Sequence, residues 1–249
     1  MVLIFAHHYD MEAKWLAQYL PQQCSSIRVK LVIAEALGID YDITLSIKNN
    51  SSNAVVFFKD DTGPLACGSI SFVINRLMFI DPIVWNKSDK KEKTYAMNEI
   101  NAFFAAFIHS YKCPVVNAVE HGSLLGNNSG TFRLVKILKK DGMAIHPFVF
   151  EENENSFKLM EKNAVACLRA MCWYNKIFFP LHQFNIEFRD KIMQTLNKQQ
   201  LTSTHELFFI NNNAEFELIY ISKSPALSVY GQPFLQYLSE AVNTPQPCY

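Results

Sequence analysis

Two apolar runs, the first of them continuous, are separated by a segment with helical spacing and constrain the fold of this chain most strongly. The runs are Val2–Ala6 and residues 29–36, and residues 11–20 place apolar side chains at helical spacing. An uninterrupted apolar run is typical of a parallel strand buried on both faces, and the spacing between the runs is typical of a helix that packs on a sheet. The start of the chain therefore predicts a βαβ unit and an α/β fold.

The rest of the chain continues the alternation of strands and helices. Residues 42–60 predict a β-hairpin, because two apolar runs flank the turn-forming sequence KNNSSN. A helix is predicted over residues 132–140, with Thr131 as its N-cap, and a longer helix over residues 157–174. Residues 205–225 predict a second hairpin, since both of its strands are rich in aromatic and β-branched residues.

The charge balance argues against two classes of partner. The chain has 249 residues with 23 Lys and Arg and 23 Asp and Glu, so its formal net charge is zero. A neutral protein has no overall field that would attract nucleic acid or an anionic membrane. The apolar start meets His7, His8 and Asp10 too early to form a signal-peptide core or a membrane span. We therefore expect a cytoplasmic protein with neither nucleic acid nor membrane as its partner.

The cysteines give no sign of a metal centre. No two of them form a CxxC pair, and none has the spacing of a zinc ribbon. We expect them to be thiols in a reducing compartment. The six are Cys24, Cys67, Cys113, Cys167, Cys172 and Cys248.

The loop after the first predicted strand is the best local candidate for a site, because ligands bind at the carboxyl ends of strands in open α/β sheets. It contains His7, His8 and Asp10. Two histidines and an aspartate are suitable metal or ligand contacts. The alternative is structural, with Asp10 capping the next helix and Glu12 favouring its positive end. Both interpretations remain open at this point.

Two further strands are followed by polar residues. Asn75 and Arg76 end one of them, and the planar guanidinium of Arg76 is suited to bind a carboxylate or phosphate. The same group is equally suited to an internal salt bridge with Asp81 or Glu99. The candidate ligand-binding residues are therefore His7, His8, Asp10, Asn75, Arg76 and, after the next predicted strand, Asn117 and His121.

Four short motifs occur in a fixed order along the chain. They are INRL at residues 74–77, Tyr95 and Glu99 on a predicted helix, PVVN at residues 114–117, and FRLVKILKKDGMAIHP at residues 132–147. The succession resembles the amino-terminal portion of peptide-modifying carboxylate–amine ligases of the ATP-grasp superfamily. The resemblance implies an α/β fold with a pre-ATP-grasp-like domain over residues 1–150 and a reduced ATP-grasp-like α+β portion over residues 151–249.

The carboxyl-terminal hairpin also has a counterpart in that superfamily. There an acid, apolar residues and a turn precede the pattern Glu-x-Asn-x-x-Pro, and the oxygens of these residues hold magnesium. Aligned on Pro225, this chain has Tyr220 in place of the glutamate and Ser222 in place of the asparagine. Leu207 stands in place of the first acid. The resemblance thus implies that no metal is bound, whereas a shifted alignment would offer Glu206, Glu215 or Glu217.

The nucleotide clamp of the superfamily is reduced as well. In the family, a subdomain with two lysines and a glycine-rich loop closes over ATP. Only residues 151–185 are available for it in this chain, and they contain no glycine. The resemblance therefore implies a shortened relative, and we expect no cofactor.

Three hypotheses of function follow. The leading one is a non-catalytic ATP-grasp-like subunit that recognises a peptide or holds a catalytic ligase in a peptide-modification pathway. The alternative is a compact active peptide ligase that uses ATP and Mg, with Glu215 or Glu217 as ion ligands. The third is a small-molecule enzyme in which His7, His8 and Asp10 act as acid and base. The 20 phenylalanines further suggest a buried surface between two copies, and hence a homodimer.

Overall fold

The chain folds into two compact units, seen in a computed structural model. One unit comprises Met1–Gly126 with Leu235–Tyr249, and the other comprises Asn127–Phe234. Residue 150 lies outside the described residues, so the division into 1–150 and 151–249 stays a prediction. The structure describes residues 1–48, 51–59, 64–81, 87, 89–119, 124, 128–145, 168–173, 176–180, 185–196, 204–212, 215–222 and 225–243.

The first unit is built on a parallel sheet with the strand order β2-β1-β6-β7. Helix α1 connects β1 to β2, which confirms the predicted βαβ unit. A separate antiparallel sheet contains β3, β4 and β5 in that order, and its β3–β4 pair is the predicted hairpin. The elements are β1 (Val2–Ala6), α1 (Met11–Gln23), β2 (Val29–Ile33), β3 (Tyr41–Lys48), β4 (Ser51–Phe58), β5 (Pro64–Ala66), β6 (Phe72–Asn75), α2 (Lys90–His109) and β7 (Val115–Val116).

The core of the first unit explains why β1 reads as a continuous apolar run. All five residues of β1 are buried, as expected for a central parallel strand covered on both faces. On one face, the ring of Phe5 meets Phe104 and Phe107 of α2 edge to face, with centroids 5.2 and 6.1 Å apart. Such pairs contribute about 0.5–1.5 kcal/mol beyond their burial. The second strand, predicted over residues 29–36, is shorter than predicted: β2 ends at Ile33, because Ala34–Ala36 forms a 3₁₀ turn.

The second unit contains a mixed sheet with the strand order β10-β9-β11-β12-β8. Helices α3 and α4 cover one of its faces, where Leu134, Phe188 and Phe209 share a buried core. The pairing of β11 with β12 confirms the second predicted hairpin. The elements are α3 (Asn128–Lys140), β8 (Ala144–Ile145), β9 (Leu168–Trp173), β10 (Lys176–Phe178), α4 (Ile186–Leu196), β11 (His205–Asn212) and β12 (Glu215–Ser222). The last described element is α5 (Gly231–Asn243).

Strand β9 corrects the helix predicted over residues 157–174. Leu168, Ala170 and Met171 are good helix formers, which is why the local pattern favours a helix. In the fold this segment instead pairs antiparallel with β10 on one side and β11 on the other. Hydrogen bonding to two neighbours and burial override local propensity here. Residues 157–167 lie outside the described part of the chain.

The start of α3 corrects a second prediction. The helix begins at Asn128, so Thr131 lies inside it and is not the N-cap. The end of α3 is as predicted, near Gly142. Gly142 has a φ of 78° and donates its N–H to the carbonyl of Lys139, while Met143 donates to Leu138. This left-handed turn is the usual way in which glycine ends a helix. Across the described residues, no helix has the length and apolar character needed to cross a bilayer.

Candidate functional site

His7 and His8 converge on Glu35 at the carboxyl ends of β1 and β2. His7 is buried, and its Nδ1 lies 2.9 Å from Glu35 Oε1. Because the backbone N–H of Met78 donates to His7 Nε2 at 3.3 Å, the ring proton is on Nδ1 and points at the carboxylate. His8 adds its backbone N–H, 3.1 Å from Glu35 Oε2, and its ring lies 69% exposed. The buried imidazole is thus held at both nitrogens.

The carboxylate of Glu35 stays ionised in this arrangement. Burial raises its pKa, but hydrogen bonds from its own backbone N–H and from His7 and His8 outweigh burial and hold the pKa below its usual value. Tyr9 stacks parallel to the His7 ring, with centroids 5.0 Å apart. The cluster is therefore a fixed network around one negative charge.

Asp10 serves two structural purposes at once. Its Oδ1 accepts from the backbone N–H groups of Glu12 and Ala13 at 3.1 and 3.0 Å, which caps α1. Its carboxylate also receives Nε and Nη2 of Arg76 at 2.7 and 3.2 Å, a bidentate pair. Both side chains are at least nine-tenths buried. The capping role that the sequence leaves open for Asp10 is present. The ion pair of Arg76 is with Asp10, whereas the sequence pointed to Asp81 or Glu99.

Asn75 and Asn117 join β6 to the loop after β7. The side-chain amide of Asn75 donates to the carbonyls of Asn117 and Leu124, and that of Asn117 donates to the carbonyl of Asn75 at 3.1 Å. Asn117 has a φ of 54°, a left-handed conformation that asparagine tolerates better than most residues. His121 lies outside the described residues. Of the predicted set, the structure therefore brings together two groups, one around β1 and one around the Asn75–Asn117 pair.

No metal centre is evident in this part of the molecule. Within the described ranges, no three His, Cys, Asp or Glu side chains are grouped so as to hold an ion. The contacts above show that the described candidates, all but His121, bond to the protein itself. Whether they also bind a ligand stays a prediction.

The hairpin of the second unit decides which residues share a face. Leu207 pairs with Ile221, and both side chains pack into the core beneath α3 and α4. Tyr220 lies opposite Phe208, and their rings are 5.6 Å apart on the other face. Side chains alternate between faces along a strand, so Leu207 is turned away from Tyr220. The aligned residues Leu207 and Tyr220 therefore lie on different faces of the hairpin, and the loss of the ion ligands stays a prediction.

Glu206 is the acid that lies on the same face of the hairpin as Tyr220 and Ser222, the two residues that align with the family's ion ligands. It lies directly opposite Ser222 in the pairing of β11 with β12. The register shifts between Phe208 and Phe209, where Ile219 is the extra residue on β12. Such a bulge changes the phase of one strand relative to the other, and the sequence gives no local sign of it.

Glu206 is held by the chain that follows the hairpin. It is 1% exposed; its Oε1 accepts from the hydroxyl of Tyr230 at 2.8 Å, and its Oε2 accepts from the backbone N–H of Ala226 at 2.9 Å. The Nη1 of Arg169 lies 3.9 Å from Oε1. Burial first, and then the negative charge of Glu206, raise the pKa of Tyr230 far above its ordinary value. Tyr230 therefore remains a hydrogen-bond donor.

Glu215 and Glu217, the other acids that a shifted alignment offers, lie on the same face as Glu206. They pair with Asn212 and Ile210, beyond the bulge. Glu215 is exposed and Glu217 is half-buried.

The comparisons with known proteins concern the fold. No protein-family model matches the chain. No curated protein matches it either. Solved structures do. The macrocyclase MdnB from Microcystis aeruginosa MRC superimposes with a TM-score of 0.68 at 9% identity, over 98% of this chain and 99% of that chain.

Two other similar structures contain peptides. The macrocyclase MdnC from the same organism, bound with precursor peptide MdnA, gives a TM-score of 0.68 at 12% identity over 97% of this chain and 98% of that one. The RiPP-associated ATP-grasp ligase of Chryseobacterium gregarium, in complex with ADP and a leader and core peptide, gives 0.62 at 12% identity over 97% and 94%. The chain has an ATP-grasp-like fold.

At the level of the fold, this confirms the α/β architecture and the ATP-grasp-like resemblance inferred from the sequence. Within the ATP-grasp-like fold, the contact of Glu206 with Tyr230 is one of the features that sequence analysis missed, along with Glu35 and the pairing of Arg76 with Asp10. An acid within a strongly apolar strand, followed after a proline by a tyrosine, is the only local signal, and it does not specify the pairing.

Proposed function

We propose that this chain is a non-catalytic ATP-grasp-like subunit that recognises a peptide or holds a catalytic ligase in a peptide-modification pathway. The observation that carries the proposal is the state of Glu206. Both of its carboxylate oxygens accept hydrogen bonds from Tyr230 and Ala226. An acid that fastens its own chain is not free to bind a metal ion.

The surroundings of Glu206 also oppose a cation. Magnesium requires about six oxygen ligands in octahedral geometry and prefers carboxylates among protein groups. Tyr220 and Ser222 offer neutral hydroxyls at the aligned positions. Arg169 places a positive charge 3.9 Å from the carboxylate, so a second cation there would be repelled.

Two of the similar structures support a peptide as partner. MdnC is bound with precursor peptide MdnA, and the Chryseobacterium ligase holds a leader and core peptide. We propose the same class of partner, a peptide, for the present chain. We also propose that the subunit is cytoplasmic and forms a homodimer. Recognition of a peptide needs no cofactor.

The alternative function, a compact ligase that uses ATP and Mg, is favoured by one observation. Glu215 and Glu217 share the face of Glu206 in the hairpin, as their pairing shows. The same ligase class includes the Chryseobacterium enzyme, whose structure contains ADP.

Calorimetric titration with ATP, with and without magnesium, separates the two functions. We expect no magnesium-dependent heat at millimolar ATP, with adenosine as the control ligand. Magnesium-dependent binding that is lost in Glu217→Gln and in Glu215→Gln would establish the ligase alternative. Affinity capture with a precursor peptide or a catalytic ligase then tests the leading proposal. ATP turnover together with failure to capture either one would overturn it.

A further inference from the structure

The loop after β6, residues 77–80, is anchored at its ends and exposed in its middle. Leu77 and Ile80 are fully buried. Met78 and Phe79 between them are 49% and 42% exposed, although both are large apolar side chains. The loop follows the carboxyl end of a parallel strand, and this is the edge at which α/β sheets bind ligands. A change in the middle of the 77–80 loop would therefore alter the surface at that edge.

Three side chains each accept one backbone N–H of the 77–80 loop. The pairs are Leu77 with Asn75 Oδ1 at 3.1 Å, Met78 with His7 Nε2 at 3.3 Å, and Ile80 with Asn101 Oδ1 at 2.9 Å. The amide oxygen of an asparagine does not titrate, so the two outer bonds are independent of pH. The middle bond requires an imidazole nitrogen that carries no proton. Of these three bonds, the one that holds the exposed part of the loop is therefore the one that depends on pH.

The Nε2 of His7 is an acceptor only while the ring is neutral. Histidine is the side chain whose charge ordinarily changes between about pH 5 and pH 8. Because the ring already carries a proton on Nδ1, directed at Glu35, a proton taken up from water adds at Nε2. Nε2 then bears a hydrogen that faces the N–H of Met78, and two donors do not bond to each other. Protonation of His7 therefore breaks its bond to Met78.

The surroundings of His7 provide a counter-ion for the protonated ring. Glu35 Oε1 lies 2.9 Å from Nδ1. Burial raises the pKa of this carboxyl, but its hydrogen bonds outweigh burial and lower it, so Glu35 stays ionised. Burial first, and then the charges of Glu35 and Asp10, raise the pKa of Tyr9, whose stacked ring therefore stays neutral. Phe79 packs on the His7 ring, with centroids 4.7 Å apart, and has no charge.

His8 is the second histidine beside Glu35. Its ring is 69% exposed, and its Nδ1 lies 3.2 Å from Glu35 Oε1. A protonated His8 would compete with His7 for the same carboxylate, so an experiment must separate the two rings. The remaining nearby carboxylates are neutralised by partners, Asp10 by Arg76 and Asp81 by Lys93 at 3.0 Å.

We propose that His7 is a pH-sensitive latch on the 77–80 loop. The neutral ring holds the backbone of Met78, and the protonated ring, paired with Glu35, releases it. Met78 and Phe79 then move at the carboxyl edge of the sheet, while Leu77 and Ile80 stay anchored. The latch goes beyond the proposed function, since neither peptide binding nor ATP enters it.

Nuclear magnetic resonance on the full chain tests the latch between about pH 7.5 and pH 5. We expect the ring nitrogens of His7 and the amide of Met78 to shift with one common midpoint. The exchange protection of the Met78 amide, relative to its intrinsic rate, should fall at least about threefold on acidification. The amides of Leu77 and Ile80 are internal controls with acceptors that do not titrate, and their protection should stay constant. If His7 titrates without a change at Met78, or stays neutral down to pH 5, the latch does not exist.

Two variants assign the transition to the buried ring. His8→Gln removes the exposed ring and keeps the backbone N–H that Glu35 accepts, so the transition at Met78 should persist. Glu35→Gln removes the counter-ion, while its amide oxygen still accepts from Nδ1, and the midpoint should fall by at least about one pH unit. Loss of the transition in His8→Gln, or a midpoint that does not fall in Glu35→Gln, would overturn the proposal.

Discussion

The carboxyl edge of the first unit's sheet and the hairpin of the second unit both bury acidic side chains, but they satisfy them differently. At the sheet edge, Asp10 meets the guanidinium of Arg76 in a bidentate pair. In the hairpin, Glu206 accepts from Tyr230 and Ala226, and its cation, Arg169, stands 3.9 Å away. One acid is neutralised by direct pairing and the other is held chiefly by hydrogen bonds.

The difference teaches what each acid does for its unit. The Asp10–Arg76 pair ties β6 to the start of α1, two elements that are distant in sequence. Glu206 fastens the residues that follow Pro225 to the face where the family pattern would place ion ligands. Loss of either interaction would leave a buried polar group without its partner, and the cost of that loss is measurable.

The largest effect is expected from breaking the sheet-edge pair. Arg76→Met would leave Asp10 as a buried, uncompensated charge and should lower the free energy of unfolding by about 3–5 kcal/mol. Urea denaturation measures the change, with Arg28→Met, an exposed arginine, as the control. A loss below about 1 kcal/mol would mean that the pair contributes no more to stability than an exposed ion pair does.

The face assignment of the hairpin can be tested at Leu207. Leu207→Ala should cost about 2–5 kcal/mol, because the side chain lies in a packed core and its removal leaves a cavity. Ile186→Ala, at an exposed position of α4, should change stability by less than about 0.5 kcal/mol. Equal effects of the two substitutions in denaturant titrations would mean that Leu207 faces away from the core.

Removal of the hydrogen bond from Tyr230 to Glu206 should lower the free energy of unfolding by less than either of the two preceding substitutions. Tyr230→Phe deletes one hydrogen bond to a buried carboxylate, and we expect a loss of about 1.5–3 kcal/mol. Thermal and urea unfolding measure it, with Tyr95→Phe as the control, since Tyr95 is exposed on α2. If Tyr230→Phe is as stable as the control, the hydroxyl does not hold Glu206, and the acid is available for other ligands.

The smallest expected effect is the pH-dependent contribution of Glu35 to the free energy of unfolding. Its pKa is lowered in the folded state, so its stabilising effect is present above the unfolded pKa and is lost as pH falls through the folded pKa. The stability difference between wild type and Glu35→Gln, below about 1 kcal/mol for a partly solvated group, should therefore shrink between about pH 5 and pH 3. A difference that grows on acidification would contradict the lowered pKa.

Local sequence patterns were sufficient for much of the fold. The apolar run of β1 and the helical spacing of α1 predicted the βαβ unit. A strand buried on both faces must consist of apolar residues, because all of its side chains are removed from water. Strand ends were also predictable, so His7, Asp10, Asn75 and Arg76 were each expected at or just after the end of a strand. Their partners were not, since Glu35 and the Arg76–Asp10 pairing depend on which strands become neighbours.

By itself, the sequence determined the element types whose burial is dictated by neighbouring residues, together with the ATP-grasp-like order of its motifs. Tertiary structure alone decided that β9 is a strand, because pairing with two neighbours outweighs the helix propensity of Leu168 and Met171. It also decided the phase of the last hairpin. A single bulged residue, Ile219, shifts the pairing and brings Glu206 onto the face of Ser222, and no local pattern encodes the position of such a bulge.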